Sequence, residues 1–183
     1  MARWPLFRQL PLVAVAAGVA LVAASPTLAG DDRASAAGEL VRYSPVVSER
    51  AAARVDAVYD TAGDSTVTLR VRGLRPETEY GAHVHMARCG NSARDAGPDY
   101  QHVPNPDPDS PHDQVFENPE NEIWLDFKTD VSGNAVVSSV QAWQFSPDRR
   151  PGSVIIHAER TRLGLDGPAG TAGARLACLT VGL

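Results

Sequence analysis

Residues 54–73 read RVDAVYDTAGDSTVTLRVRG and carry the clearest structural signal in the chain. Two runs of alternating apolar residues flank the turn sequence Thr61–Ser65. A period of two places alternate side chains on one face of a strand, and Gly next to Asp favours a turn. The stretch therefore predicts an antiparallel hairpin with one apolar face, formed by Val55, Ala57 and Tyr59 opposite Val67, Leu69 and Val71.

Further strand patterns follow along the chain. They cover residues 80–86, 123–127, 135–145, 153–159 and 174–181. No stretch after residue 30 sustains an apolar period of 3.6 residues. Short strands separated by Gly, Asp and Asn turns are typical of an antiparallel β-sandwich or barrel. We therefore expect an all-β protein.

Length and composition narrow the class of protein. The chain has 183 residues, of which 43% are hydrophobic and 21% are charged. This is enough for one domain with a sizeable core, and it excludes a wholly disordered chain. The formal net charge of −5 argues against a nucleic-acid partner, since such proteins usually present a basic surface.

The first 29 residues have the pattern of a secretory signal peptide. Arg3 and Arg8 precede an apolar run over residues 10–24, and small residues follow before position 30. The alternative is a membrane anchor, but a spanning helix needs roughly 20 apolar residues. We therefore expect a protein that is extracellular or located in the cell envelope, with no stable membrane anchor.

The remaining chain divides into a short lead-in and one domain. Residues 30–52 are predicted to be a flexible lead-in and possible first strand, and residues 53–183 form the domain. Within it, residues 89–121 are rich in proline and asparagine. Long ordered loops in compact domains are usually functional.

The two cysteines, Cys89 and Cys178, are far apart in sequence. In an exported chain they predict a disulfide bond, because export brings the chain into oxidising conditions. Two buried free thiols are the alternative interpretation.

The five histidines indicate a metal site. His83 and His85 are two apart in a strand pattern, so their side chains project from the same face. His157 ends another apolar strand, and His102 and His112 lie in the proline-rich loop. Imidazole suits copper and zinc better than magnesium or calcium. A pair of half-exposed polar residues on a strand is the alternative for His83 and His85.

Five short motifs change the weight of these alternatives. They are Gly81-Ala82-His83-Val84-His85, Cys89-Gly90, Ala96-Gly97-Pro98, Ile155-Ile156-His157-Ala158-Glu159, and residues 170–178, which read GTAGARLAC. Their order resembles that of the copper/zinc superoxide dismutase family, most closely its divergent exported bacterial members, from about residue 53 to the end. The resemblance implies a Greek-key β-barrel or sandwich of about eight antiparallel strands.

The resemblance also implies roles for individual residues. It makes Arg175 the arginine that guides and holds the superoxide anion beside the metal. It identifies Cys89 and Cys178 with the disulfide of the family. It assigns His83, His85 and His157 as copper ligands.

The chain departs from the family pattern at the second metal. A complete copper–zinc pair needs six histidines, and this chain has five. Asp99 stands where the bridging histidine follows Gly-Pro, and residues 118–127 offer no convincing zinc ligands. Thr161 and Arg162 occupy the region where the family has an aspartate after the last copper histidine. We therefore expect copper as the cofactor and do not expect zinc.

Two residues are candidates for the fourth copper ligand. His102 is favoured, because imidazole holds Cu(I) better than a carboxylate does. Asp99 is the alternative and would supply an oxygen. His112 is interpreted as a solvated loop residue.

The sequence leads to two functional hypotheses. The first is an exported, copper-dependent enzyme that converts superoxide to oxygen and hydrogen peroxide, with Arg175 as the catalytic side chain. The second is a non-catalytic copper-binding or structural member of the same fold. Asp99 supports the second hypothesis, and Arg175 argues against it, because copper storage does not require an anion guide.

Overall fold

The computed structural model describes Met1 and residues 32–107 and 109–183. Apart from Met1, the predicted signal peptide lies outside the described residues. These contain no helix long and apolar enough to cross a membrane. In chain order the elements are β1 (Asp32–Glu39), β2 (Val41–Arg42), β3 (Ala52–Tyr59), β4 (Ser65–Arg72), β5 (Glu79–Tyr80), β6 (Ala82–His85), a 3₁₀ helix (Ala93–Ala96), β7 (Phe127–Lys128), β8 (Ala135–Gln141), β9 (Ser153–His157) and β10 (Arg175–Thr180).

Two four-stranded antiparallel sheets form the body of the fold. The strand order is β1-β3-β4-β8 in the first sheet and β2-β10-β9-β6 in the second, and β5 pairs with β7 separately. The chain crosses between the sheets three times: from β4 in the first sheet to β6 in the second, back to β8 in the first, and then to β9 in the second. This confirms the predicted all-β Greek-key architecture. Ten strands are described rather than about eight, and three of them, β2, β5 and β7, contain only two residues each.

The predicted hairpin is β3 and β4, paired along their full length. Val55 lies opposite Leu69 and Ala57 opposite Val67. All four side chains are buried in the main hydrophobic core. Alternation of apolar residues therefore defines the inner face of the first sheet, as the sequence predicts.

Strand β1 lies in the segment predicted as a flexible lead-in and possible first strand. It pairs with β3 over eight residues, although most of its side chains are exposed. One segment differs from the sequence-based expectation. The strand expected over residues 123–127 is reduced to β7. Ile123 and Leu125 are buried but form irregular backbone hydrogen bonds to β6, with Val84 and Ala82 respectively, because the loop here leaves the regular sheet.

The predicted disulfide bond joins Cys89 to Cys178, with a Cα–Cα distance of 5.8 Å. Cys178 lies on β10 and packs with Ile155 and with Ala96 of the 3₁₀ helix. The bond therefore fastens the start of the long loop to the second sheet.

Reduction of this disulfide is expected to destabilise the domain by a few kcal/mol. The bond joins residues 89 positions apart, and closure of a loop of this size contributes roughly 4–5 kcal/mol in the chain-entropy model. Urea unfolding of the oxidised and reduced proteins measures the difference. Equal unfolding midpoints would contradict the prediction.

Candidate metal centre

Three histidines converge between two strands of the second sheet. His83 and His85 lie on β6, and His157 ends the neighbouring strand β9. Each ring offers a nitrogen within 4.8 Å of those of the other two. The three side chains are at most 6% exposed. The period-two spacing of β6 and the pairing of β6 with β9 thus produce a compact cluster of imidazoles.

Asp99 completes this cluster from the long loop. Its carboxylate lies 3.1 Å from His83 Nδ1 and 2.8 Å from His85 Nε2. An isolated bridge between His85 and Asp99 positions the residue, and the N–H of the adjoining Tyr100 donates to the carbonyl of Val84 on β6. Asp99 therefore contacts two imidazoles at once.

The outer nitrogen of His85 has a fixed partner. His85 Nδ1 lies 3.1 Å from the carbonyl oxygen of Gly97. A carbonyl only accepts hydrogen bonds, so Nδ1 carries a proton and Nε2 is the nitrogen that faces Asp99 and the centre of the cluster. Gly97 has φ +71°, a left-handed conformation that favours glycine and that aims this carbonyl into the site.

Asp99 and His83 shift each other's pKa in opposite directions. Burial alone would raise the pKa of Asp99, but the adjacent rings of His83 and His85 hold it well below its usual range. Burial alone would lower the pKa of His83, yet the charge of Asp99 raises it. Without a metal, the His83–Asp99 pair therefore favours a charged form.

His157 behaves differently from the other two histidines. Burial, reinforced by the charge of His83, lowers the pKa of His157 to about 3. Neither of its ring nitrogens has a hydrogen-bond partner, although the Gly173 backbone approaches the ring. A buried polar group without a partner is costly and requires an explanation, and a bound metal ion supplies one.

An open cleft of about 740 Å³ leads from the surface to this cluster. Asp99, His157 and Arg175 line it. Arg175 begins β10, opposite His157 across the sheet, and donates a 3.0 Å hydrogen bond to the carbonyl of Ala93. The cleft thus offers a fixed cation beside the imidazoles, where a small anion can enter.

His102 is not part of the imidazole cluster. It is exposed, and its ring stacks on Trp143 with centroids 4.7 Å apart. The structure therefore places His102, the favoured candidate for the fourth ligand, apart from the cluster, and places the alternative, Asp99, beside His83 and His85. His112, expected to be solvated, is exposed and pairs with Glu117 at 2.9 Å.

Three polar residues near the cluster were not singled out from the sequence as part of the site. Thr161 lies 2.7 Å from His83 Nε2, and Asp126 bonds to Thr161. Glu122 is buried near Asp99, and burial, with the charge of Asp99, raises its pKa to about 7. No local pattern marks these residues, because they meet the cluster only through long-range contacts.

Together, the fold and the site define a Greek-key β-sandwich with a buried three-histidine cluster that could hold a metal ion, beside a cleft open to small anions. The family model of copper/zinc superoxide dismutase matches residues 51–181. The chain therefore belongs to the copper/zinc superoxide dismutase family. No curated protein matches the chain at a significant level, so this assignment depends on the family model, the fold and the site.

Proposed function

We propose that the protein is a copper-dependent superoxide dismutase with His83, His85 and His157 as copper ligands and Asp99 as the fourth. The main support is the convergence of buried imidazole nitrogens, including both nitrogens of His157, that have no hydrogen-bond partner. Copper fits this donor set, because imidazole suits both of its common oxidation states. We propose no zinc site, since the sequence lacks the zinc ligands of the family.

The protein's own residues supply the rest of the reaction. Bound copper would alternately oxidise one superoxide to oxygen and reduce another, which takes up two protons, to hydrogen peroxide. Arg175 attracts the anion into the cleft and holds it beside the cluster. The hydrogen bond from Arg175 to Ala93 fixes the guanidinium, so little side-chain ordering is needed when the anion binds. His157 stays neutral, so one of its two ring nitrogens keeps a lone pair that can bind a metal.

We further propose that the protein acts outside the cytoplasm. The signal pattern of residues 1–29 supports this, and so does a disulfide bond, since such bonds persist in oxidising compartments.

A non-catalytic copper-binding protein is the second candidate. The observation that favours it is Asp99, whose negative charge beside the metal favours Cu(II) over Cu(I) and would slow the redox cycle.

One sample distinguishes the two candidates. The oxidised protein is loaded with one equivalent of Cu(II), its EPR spectrum is recorded, and superoxide removal is assayed by pulse radiolysis. A histidine-bound copper spectrum with catalytic removal supports the enzyme. The same spectrum without removal supports the second candidate, and a spectrum of loosely bound copper excludes both.

Replacing Arg175 by alanine is expected to slow superoxide removal by about 10-fold or more at low salt, the lower end of the range for electrostatic steering. The loss should shrink at high salt, because screening already weakens the attraction in the wild type. Arg94→Ala is the matched control, since it removes the same charge from an exposed position on the 3₁₀ helix. Equal losses in both variants would contradict a specific role for Arg175.

A further inference from the structure

A chain of hydrogen bonds leads away from the metal centre behind His83. The outer nitrogen of His83, Nε2, lies 2.7 Å from the hydroxyl oxygen of Thr161. That hydroxyl lies 2.6 Å from one carboxylate oxygen of Asp126, and the backbone N–H of Thr161 donates to the other oxygen at 2.8 Å. Asp126 therefore contacts Thr161 twice.

The donors and acceptors allow these hydrogen bonds to be donated in only one direction, from His83 to Thr161 to Asp126. A carboxylate accepts hydrogen bonds and donates none, so the single hydroxyl proton of Thr161 points to Asp126. The Thr161 oxygen then has only lone pairs to offer His83. Nε2 must carry a proton and donate it, so Nδ1, which faces Asp99 at 3.1 Å, is the nitrogen of His83 that can lose its proton and bind a metal.

We propose that Thr161 and Asp126 are positioning residues that keep the proton of His83 on Nε2 and so present Nδ1 to the metal. The inference about copper affinity depends on the proposed copper site, whereas the protonation of Nε2 does not. Asp126 reaches the His83 ring through Thr161. Its carboxylate also accepts a longer hydrogen bond, 3.4 Å, from the backbone N–H of Ala82, and it does not line the cleft. The sequence region in which the family's aspartate is missing thus contains a threonine that recruits a carboxylate 35 residues earlier in the chain.

Asp126→Asn should weaken copper binding more than removal of the hydrogen bond between His83 and Thr161 does. The Asn carbonyl should face the N–H of Thr161, which lies 2.8 Å from the Asp126 carboxylate, because the opposite orientation sets two donors against each other at this short distance. The Asn NH₂ group then opposes only the N–H of Ala82, which is more distant at 3.4 Å. Its NH₂ group then donates to the Thr161 hydroxyl, whose proton turns to His83 Nε2. The ring would shift its proton to Nδ1 and withdraw the lone pair from the metal.

Four variants of the oxidised protein test this order of donors. Thr161→Val removes the hydroxyl at nearly constant volume, and Thr161→Ser retains it. Asp126→Asn reverses the chain, and the double variant Asp126→Asn/Thr161→Val removes the reversed donor. Cu(II) affinity is measured by competition with a chelator of known affinity.

Loss of an outer hydrogen-bond partner typically lowers metal affinity by about 10- to 100-fold, and we expect this for Thr161→Val. Thr161→Ser should bind like the wild type. Asp126→Asn should bind more weakly than Thr161→Val, and the double variant should recover to the Thr161→Val level. Equal affinities for Thr161→Val and Thr161→Ser, or no recovery in the double variant, would overturn the proposal.

A second measurement needs no metal. In ¹⁵N-histidine NMR spectra of the metal-free protein, recorded at one fixed pH high enough to neutralise the His83 ring, Nε2 should show a protonated signal and Nδ1 an unprotonated one in the wild type. In Asp126→Asn the two signals should be exchanged. An unprotonated Nε2 in the wild type refutes the proposal, even if the variants fail to fold. A protonated Nε2 in a protein that binds no copper supports the proposal and rejects the copper function instead.

Discussion

His157→Ala will abolish tight copper binding and, with it, superoxide removal. The variant leaves only two imidazoles and Asp99, and no other histidine lies close enough in the described residues to replace the lost nitrogen. The loss of copper affinity should exceed the ~10- to 100-fold that removal of an outer partner costs, because a direct ligand is removed. Chelator competition and a superoxide assay on the same sample measure both effects.

Two further variants make this result specific. His112→Ala is the matched control, because His112 is exposed and pairs with Glu117 rather than with the cluster. It should retain the copper affinity of the wild type. His157→Leu fills the space with apolar atoms and removes two buried nitrogens without partners, so the metal-free protein should melt no lower than the wild type. Tight copper binding by His157→Ala would refute the proposed site.

The sequence predicts the elements whose side chains alternate between core and solvent. The β3–β4 hairpin is an example, since its apolar residues directly mark the buried face. Strand β1 is harder to recognise, because its backbone pairs with β3 while most of its side chains remain exposed. A strand of this kind is held by ladder hydrogen bonds, which leave little trace in the order of apolar residues.

The same distinction applies to the metal centre, where one part follows from local spacing and another part depends on long-range contacts. The spacing of His83 and His85 on one strand is a local signal, and it identifies two members of the cluster correctly. The choice between Asp99 and His102 depends on the path of the loop. Asp99 pairs with His85, whereas His102, three residues further on, stacks on Trp143. Such a path is set by long-range contacts that no spacing encodes.

Replacing Asp99 will change the relative affinities for the two oxidation states of copper. Asp99→Ala is expected to weaken Cu(II) binding by about 10-fold or more, because an anionic ligand beside His83 and His85 is lost. Asp99→His should instead strengthen Cu(I) binding, since imidazole holds Cu(I) better than a carboxylate does. Separate chelator competitions for Cu(I) and Cu(II) give both affinities.

The same variants decide how Asp99 affects turnover. If its charge slows the redox cycle, Asp99→His will raise superoxide removal above the wild-type rate, while Asp99→Ala loses copper. His102→Ala is the matched comparison, because His102 is the other candidate for the fourth ligand and its ring stacks on Trp143. It should leave both copper affinities unchanged. If His102→Ala loses Cu(II) and Asp99→Ala does not, the loop rearranges on binding copper and His102 is the ligand. The carboxylate of Asp99 would then serve only to hold His83 and His85 in the metal-free protein.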